Sequence, residues 1–136
     1  MKKLYVLFLA TVVFGFLFGL NPTSPRAADE FPTISTEELA KGIKDKSLFV
    51  VDNNRPDVFK KNHIPSAVWM NPSELDAKLL PANKNASLVF YCKNPKCGAS
   101  HSGARSAQKL GYSNIRIYPQ GIDGWLAAGQ SAEAGH

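Results

Sequence analysis

The sequence predicts an α/β fold with a mainly parallel central sheet flanked by helices on both faces. Three observations predict it. Leu48-Phe49-Val50-Val51 and Leu88-Val89-Phe90-Tyr91 are unbroken apolar runs, the pattern of strands buried on both faces and not of a sheet with one wet side. Strand-like and helix-like segments alternate at short spacing, as parallel strands joined by crossover helices require. Both apolar runs end in residues able to do chemistry, Asp52 and Cys92, and in parallel sheets function gathers at the carboxyl ends of strands.

The elements follow in order. Ser35-Thr36-Glu37-Glu38 is a capping-box pattern, and Leu39, Ala40 and Ile43 give the helix behind it one apolar face. The strand Leu48 to Val51 comes next and stops at Asp52. A short helix is expected around Asp57 to Lys61, a short strand at Ala67 to Met70, and a helix over Ser73 to Leu80. The second buried strand delivers Cys92 into a loop. The helix after that loop runs from Ala99 to Leu110, where Gly111 is a fitting C-terminal cap. Asn114 to Tyr118 reads as a strand and Ile122 to Ala128 as a last helix carrying Trp125. The tail, Gln130 to His136, is expected to fray.

A chain of 136 residues has room for one domain, and its amino-terminal part is not expected to belong to it. Met1-Lys2-Lys3 supplies a positive start, and Leu4 to Leu20 is apolar apart from Thr11 and two glycines, which reads as an export signal. Residues 1–28 are therefore assigned to a signal peptide and linker, with retention as a membrane anchor the alternative. The domain then occupies 29–136 and works in the periplasm or otherwise outside the cytoplasm. With Lys2, Lys3 and Arg26 set aside, thirteen basic residues face eleven acidic ones. So small a balance, with no basic run interleaved with aromatics, argues against nucleic acid as a partner.

The loop that follows Leu88 to Tyr91 reads Cys92-Lys93-Asn94-Pro95-Lys96-Cys97-Gly98-Ala99-Ser100. A thiol at the end of a buried strand, ahead of a helix start, sits where backbone N–H groups and the helix dipole favour a thiolate. Two cysteines in an oxidising compartment also suggest a disulfide. A bridge over four intervening residues would constrain the unfolded chain little, so stability is a weak reason for one. An inert bridge nevertheless stays open. Cys92, Cys97 and His101 lack an evident fourth ligand and match no common zinc spacing, so no metal and no cofactor is expected.

Three separated segments carry a resemblance to the rhodanese-like family of single-domain sulfurtransferases, over roughly Ile34 to Gly129. Val51-Asp52, Phe59 and His63-Ile64-Pro65-Ser66-Ala67 resemble its strand-end aspartate, aromatic and His-Ile-Pro-x-Ala turn. Phe90-Tyr91-Cys92 resembles its nucleophile-bearing strand. Gly111 to Ile115, Tyr118-Pro119-Gln120-Gly121-Ile122 and Trp125 resemble its closing strand, glycine turn and last helix. There are departures too. Ala99 stands where the active loop usually has arginine, the loop is longer and contains Cys97, Asn54 replaces an arginine, and Val58 replaces an acidic residue. The chain is similar to an exported subgroup with a Cys-x-Asn-Pro-x-Cys-x-Ala-Ser loop.

The resemblance implies a sulfurtransferase or sulfane-sulfur carrier in which Cys92 forms a persulfide. Lys93, Asn94, Lys96, Gly98, Ala99 and Ser100 would bind the substrate, with Asp52 and His101 supporting the site from behind. The implied donor is a small sulfur-containing anion or a protein persulfide, and the acceptor a thiol or thiol-bearing protein. Cys97 permits a second step: it attacks the persulfide on Cys92, releases sulfide and leaves a disulfide that an external reductant must open. Three rivals remain: a thiol–disulfide oxidoreductase using both cysteines, a phosphatase or arsenate reductase with a widened loop, and a non-catalytic binding module. His63, in its His-Ile-Pro turn, is expected to be structural, and Trp69, Trp125 and Phe59 are expected to be core.

Overall fold

The computed structural model describes residues 30–135, and the expected signal and linker at 1–28 lie outside them. Ser35 caps helix α1 (Thr36–Lys44) as predicted. Its hydroxyl accepts the Glu38 N–H at 3.2 Å while the Glu38 carboxylate accepts the Ser35 N–H at 3.1 Å. Then come β1 (Phe49–Asp52), α2 (Pro56–Lys61), β2 (Val68–Trp69), β3 (Leu88–Tyr91), α3 (Ala99–Lys109), β4 (Ile115–Ile117) and α4 (Gly121–Ala127). The four strands form one parallel sheet in the order β2-β1-β3-β4. The two runs expected to be buried on both faces are its central strands.

The pleat sorts their side chains into two cores. Val51, Leu88 and Phe90 pack with Ala104 and Ala107 of α3, together with Tyr112, Ile115 and Ile117. Val50, Val89 and Tyr91 point the other way, against Leu39 of α1 and Ile122 and Trp125 of α4. Helices thus cover both faces of the sheet, the fold class expected. No helix among the described residues is long and apolar enough to cross a membrane.

Two expectations are corrected. Ser73 to Leu80 forms turns and not a helix. Asn71 Oδ1 accepts the Ser73 N–H at 3.1 Å and Asp76 Oδ1 accepts the Lys78 N–H at 2.9 Å, local bonds that compete with helical pairing in a segment bracketed by Pro72 and Pro81. The tail does not fray through its described part. Glu133 exchanges two backbone hydrogen bonds with His63, at 2.8 and 2.9 Å, and Gly135 N–H reaches the Lys60 carbonyl at 2.9 Å. Ser131 accepts the Trp125 indole N–H at 2.8 Å, so the tail fastens α4 to the turn after α2.

Helix α3 lies close over the end of β1 because Gly103 has no side chain. A Cβ there would be driven into the side chain of Asn53, which is buried and held by a 2.9 Å bond from its Nδ2 to the Met70 carbonyl. Gly103→Ala should therefore destabilise the protein by about 1–3 kcal/mol despite the better helix propensity of alanine. Urea unfolding of the two chains measures this, and equal or greater stability in the variant would show that Asn53 can move aside.

Candidate functional site

The parallel register sets Asp52 directly beside Tyr91 at the carboxyl ends of the two central strands. Asp52 has 0% exposure, and its carboxylate accepts the Tyr91 hydroxyl proton and, at 2.7 Å, the Asn54 N–H. Tyr91 Oη in turn accepts the Ile64 N–H at 3.0 Å. Burial pushes the Asp52 carboxyl above the ordinary carboxylate range, and the hydrogen bonds from Tyr91 and Asn54 offset this only in part. Burial and the neighbouring carboxylate raise the Tyr91 phenol as well. The Trp69 indole donates to the Asn54 carbonyl at 2.7 Å, so the turn leaving β1 is clamped from both sides.

Cys92 follows on from Tyr91 and is 2% exposed. Its backbone rests on α4. The Ile122 N–H donates to the Cys92 carbonyl and the Asp123 N–H to the Lys93 carbonyl, each at 3.0 Å. This contact requires Gly121, whose φ is +63° and whose absent Cβ would strike those same carbonyls. Beyond Lys93 the chain turns back on itself. Asn94 Oδ1 accepts the Lys96 N–H at 3.0 Å, and the Asn94 carbonyl accepts the Cys97 N–H at 3.1 Å. The turn brings Cys97 over Cys92, and the two are joined as a disulfide with their Cα atoms 6.3 Å apart.

The Cys92 sulfur lies 3.7 Å from Ser100 Oγ and 3.3 Å from the Cys97 carbonyl oxygen. Helix α3 begins at Gly98 with no side-chain cap. The N–H groups of Ala99, Ser100 and His101 find no acceptor among the described residues, leaving a set of donors at the positive end of an eleven-residue helix. Beside them is an open cleft of about 310 Å³ lined by Asn54, Arg55, Val58, Lys96, Cys97 and Ala99, among others. Cys97 borders this cleft; Cys92 does not.

Residues 35–128 match the family described as the rhodanese-like domain. The chain belongs to the rhodanese-like family. It is similar to a thiosulfate:glutathione sulfurtransferase of Saccharomyces cerevisiae, 27% identical over 101 residues that span 65% of this chain and 71% of the yeast protein. A thiosulfate sulfurtransferase of Pseudomonas syringae is 26% identical over 96 residues, 71% of this chain and 88% of that one. The solved structure of a Bacillus halodurans protein superposes with a TM-score of 0.68 at 22% identity, covering 76% of this chain and 77% of the other, a likeness of fold.

In this rhodanese-like chain the loop brings most of the sequence-predicted site residues together. Cys92, Cys97 and Ser100 meet at the sulfur, and Lys93, Asn94, Lys96 and Ala99 border the cleft. Gly98 is the N-cap of α3. Lys93 is drawn toward Asp123 at 3.3 Å, whereas Lys96 has no ion pair among the described residues. Asp52 stands behind the site, bonded to Tyr91. His101 is half-buried in the first turn of α3 and makes no side-chain hydrogen bond among the described residues. His63 is structural. Its Nδ1 lies 2.9 Å from the Phe59 carbonyl and its ring stacks on Phe59.

Sequence reasoning missed Asn53, Asn54, Arg55 and Val58 as walls of the cleft. Arg55 brings a guanidinium to the rim from the N-cap of α2, where it pairs with Asp57 at 3.0 Å. The available signal was position: all four lie within six residues of the strand-end Asp52. Phe59 and Trp125 are core, while Trp69 is half-buried and holds the turn through its indole N–H.

Proposed function

We propose that this protein is an exported sulfurtransferase or sulfane-sulfur carrier that holds sulfur as a persulfide on Cys92. The observation that carries this reading is the placement of the Cys92 sulfur at a strand end, beside Ser100 and the open N–H groups of α3, in a rhodanese-like fold. The similarity to proteins named as sulfurtransferases supports it.

In the reduced protein, the Cys92 thiolate attacks the outer sulfur of a polysulfide or persulfide. A Cys92 S–S bond forms, the donor's S–S bond breaks, and the donor leaves as a thiolate or shortened polysulfide. Backbone N–H groups of the loop and the Ser100 hydroxyl stabilise the anionic sulfur. An acceptor thiolate then takes the outer sulfur and restores Cys92. Alternatively Cys97 attacks Cys92 Sγ, hydrosulfide departs, and the disulfide seen in the structure remains. Polysulfides and persulfides suit the site better than thiosulfate. Lys93 and Lys96, the cations of the loop itself, are point charges that cannot make a bidentate fork to an oxyanion, and Ala99 supplies no charge at all. The chemistry resides on cysteine and calls for no cofactor.

The test is the intact mass of the reduced chain, and of reduced Cys97→Ser, after brief exposure to polysulfide, with peptide mapping. The variant should gain one sulfur on the Cys92 peptide. The parent should gain it transiently and pass to the disulfide. Disulfide formation in the parent with no sulfur trapped in either chain would favour the thiol–disulfide oxidoreductase. No reaction in either would make the fold a binding module.

A further inference from the structure

The two sulfurs of the bridge differ in their surroundings. Cys92 is buried at 2% exposure, behind Ser100 and the start of α3, and the cleft does not reach it. Cys97 is half-buried and forms part of the cleft wall. Cations stand around that opening: Lys96 without an ion pair among the described residues, Lys93 shared with Asp123, and Arg55 shared with Asp57. An anion approaching the loop is drawn to the side on which Cys97 lies.

We propose that the Cys92–Cys97 disulfide is a working bond opened from the Cys97 side by a thiolate reductant, with Cys92 as the departing thiolate. This rests on the reading of Cys92 as the sulfur-bearing nucleophile, and it adds the partner and the order of exchange. The incoming thiolate attacks Cys97 Sγ. A mixed disulfide forms between the reductant and Cys97, the Cys92–Cys97 bond breaks, and its electron pair stays on Cys92. A second thiolate, from the same dithiol or from another monothiol, attacks the reductant's sulfur and frees Cys97. Over the cycle the protein disulfide gains two electrons and the two reductant thiols become a disulfide.

Two factors that govern such exchange point the same way. Access selects the attacked sulfur, and the sulfur whose thiolate is better stabilised leaves faster. Cys97 has the access. Cys92 has the Ser100 hydroxyl and the unpaired N–H groups at the positive end of α3. The same arrangement leaves Cys92 as a free thiolate the moment the bridge opens, ready for the next sulfur donor while Cys97 is still capped. Cys97 is thus both the group that discharges sulfide and the place where reducing equivalents enter.

The experiment uses the full chain in its oxidised form and reduced glutathione as the probe, quenched at short times with iodoacetamide and mapped by mass. Glutathione should be found on Cys97, with Cys92 alkylated in the same molecule, in about tenfold or greater excess over the reverse arrangement. Glutathione mainly on Cys92, or divided evenly, would overturn the proposal. So would a bridge that resists excess glutathione while folded and yields only in denaturant. Polysulfide loading of the pre-reduced chain is scored separately. Loading with the adduct on Cys92 sinks only the order of exchange, whereas the adduct on Cys97 without loading sinks only the sulfur-carrier reading.

Discussion

Replacing Cys92 with serine is expected to reduce sulfur loading from polysulfide by at least ~10³-fold, to the background of the unfolded chain. A serine hydroxyl at the end of β3 keeps the shape of the site, but it is not ionised at neutral pH and forms no stable perthio adduct. Cys97→Ser should load normally and lose only the step that releases hydrosulfide, because Cys97 enters after sulfur is bound. The pair of variants therefore separates nucleophile from resolving cysteine, and loading rates followed by intact mass read both. Loading that persists in Cys92→Ser and vanishes in Cys97→Ser would move the nucleophile to Cys97. The cleft makes that a real competitor, since Cys97 and not Cys92 lines it.

Tyr91→Phe should lower stability by about 3 kcal/mol at neutral pH, through the hydroxyl that serves both Asp52 and the Ile64 N–H. The variant leaves a buried carboxylate short of one donor and a buried N–H without an acceptor. The pH dependence identifies which group is responsible. Burial already raises the Asp52 carboxyl above its unfolded value, and losing the Tyr91 bond, which pulls it down, raises it further. Stability linked to a raised carboxyl is present at low pH and is lost as pH rises through the folded-state value. The variant's deficit should accordingly be greatest at neutral pH and should shrink as pH falls toward about 4. Urea unfolding of both chains across that range measures it, and a deficit independent of pH would assign the loss to the orphaned Ile64 N–H and to packing, and not to Asp52.

Much of this fold was legible because its central strands are apolar without interruption. A run such as Leu88 to Tyr91 has few alternatives to a doubly covered position, and the capping box at Ser35 sets the start of α1 from four residues. Ser73 to Leu80 misled for a physical reason. Its apolar spacing suits a helix, but Asn71 and Asp76 satisfy nearby backbone N–H groups themselves. The tail misled because its anchors are bonds to His63, Lys60 and Trp125, which no local pattern announces. At the site, the loop could be read from Cys92 onward as one contiguous motif. The Asp52–Tyr91 bond and the Lys93–Asp123 pair could not, since each depends on segments 30 or more residues apart that only the sheet brings together.

The seating of Cys92 and Lys93 on α4 through Gly121 makes loop length an independent variable in this architecture. The nucleophile's backbone is held by hydrogen bonds that the tip of the loop does not share, and α3 picks up the chain again at Gly98. Residues added or removed between these two anchorages alter the rim without moving the sulfur's attachment point. Cys97 lies in the segment between the two anchorages, so the second thiol is carried by the part of the loop that the strand, the floor and the following helix do not hold in place.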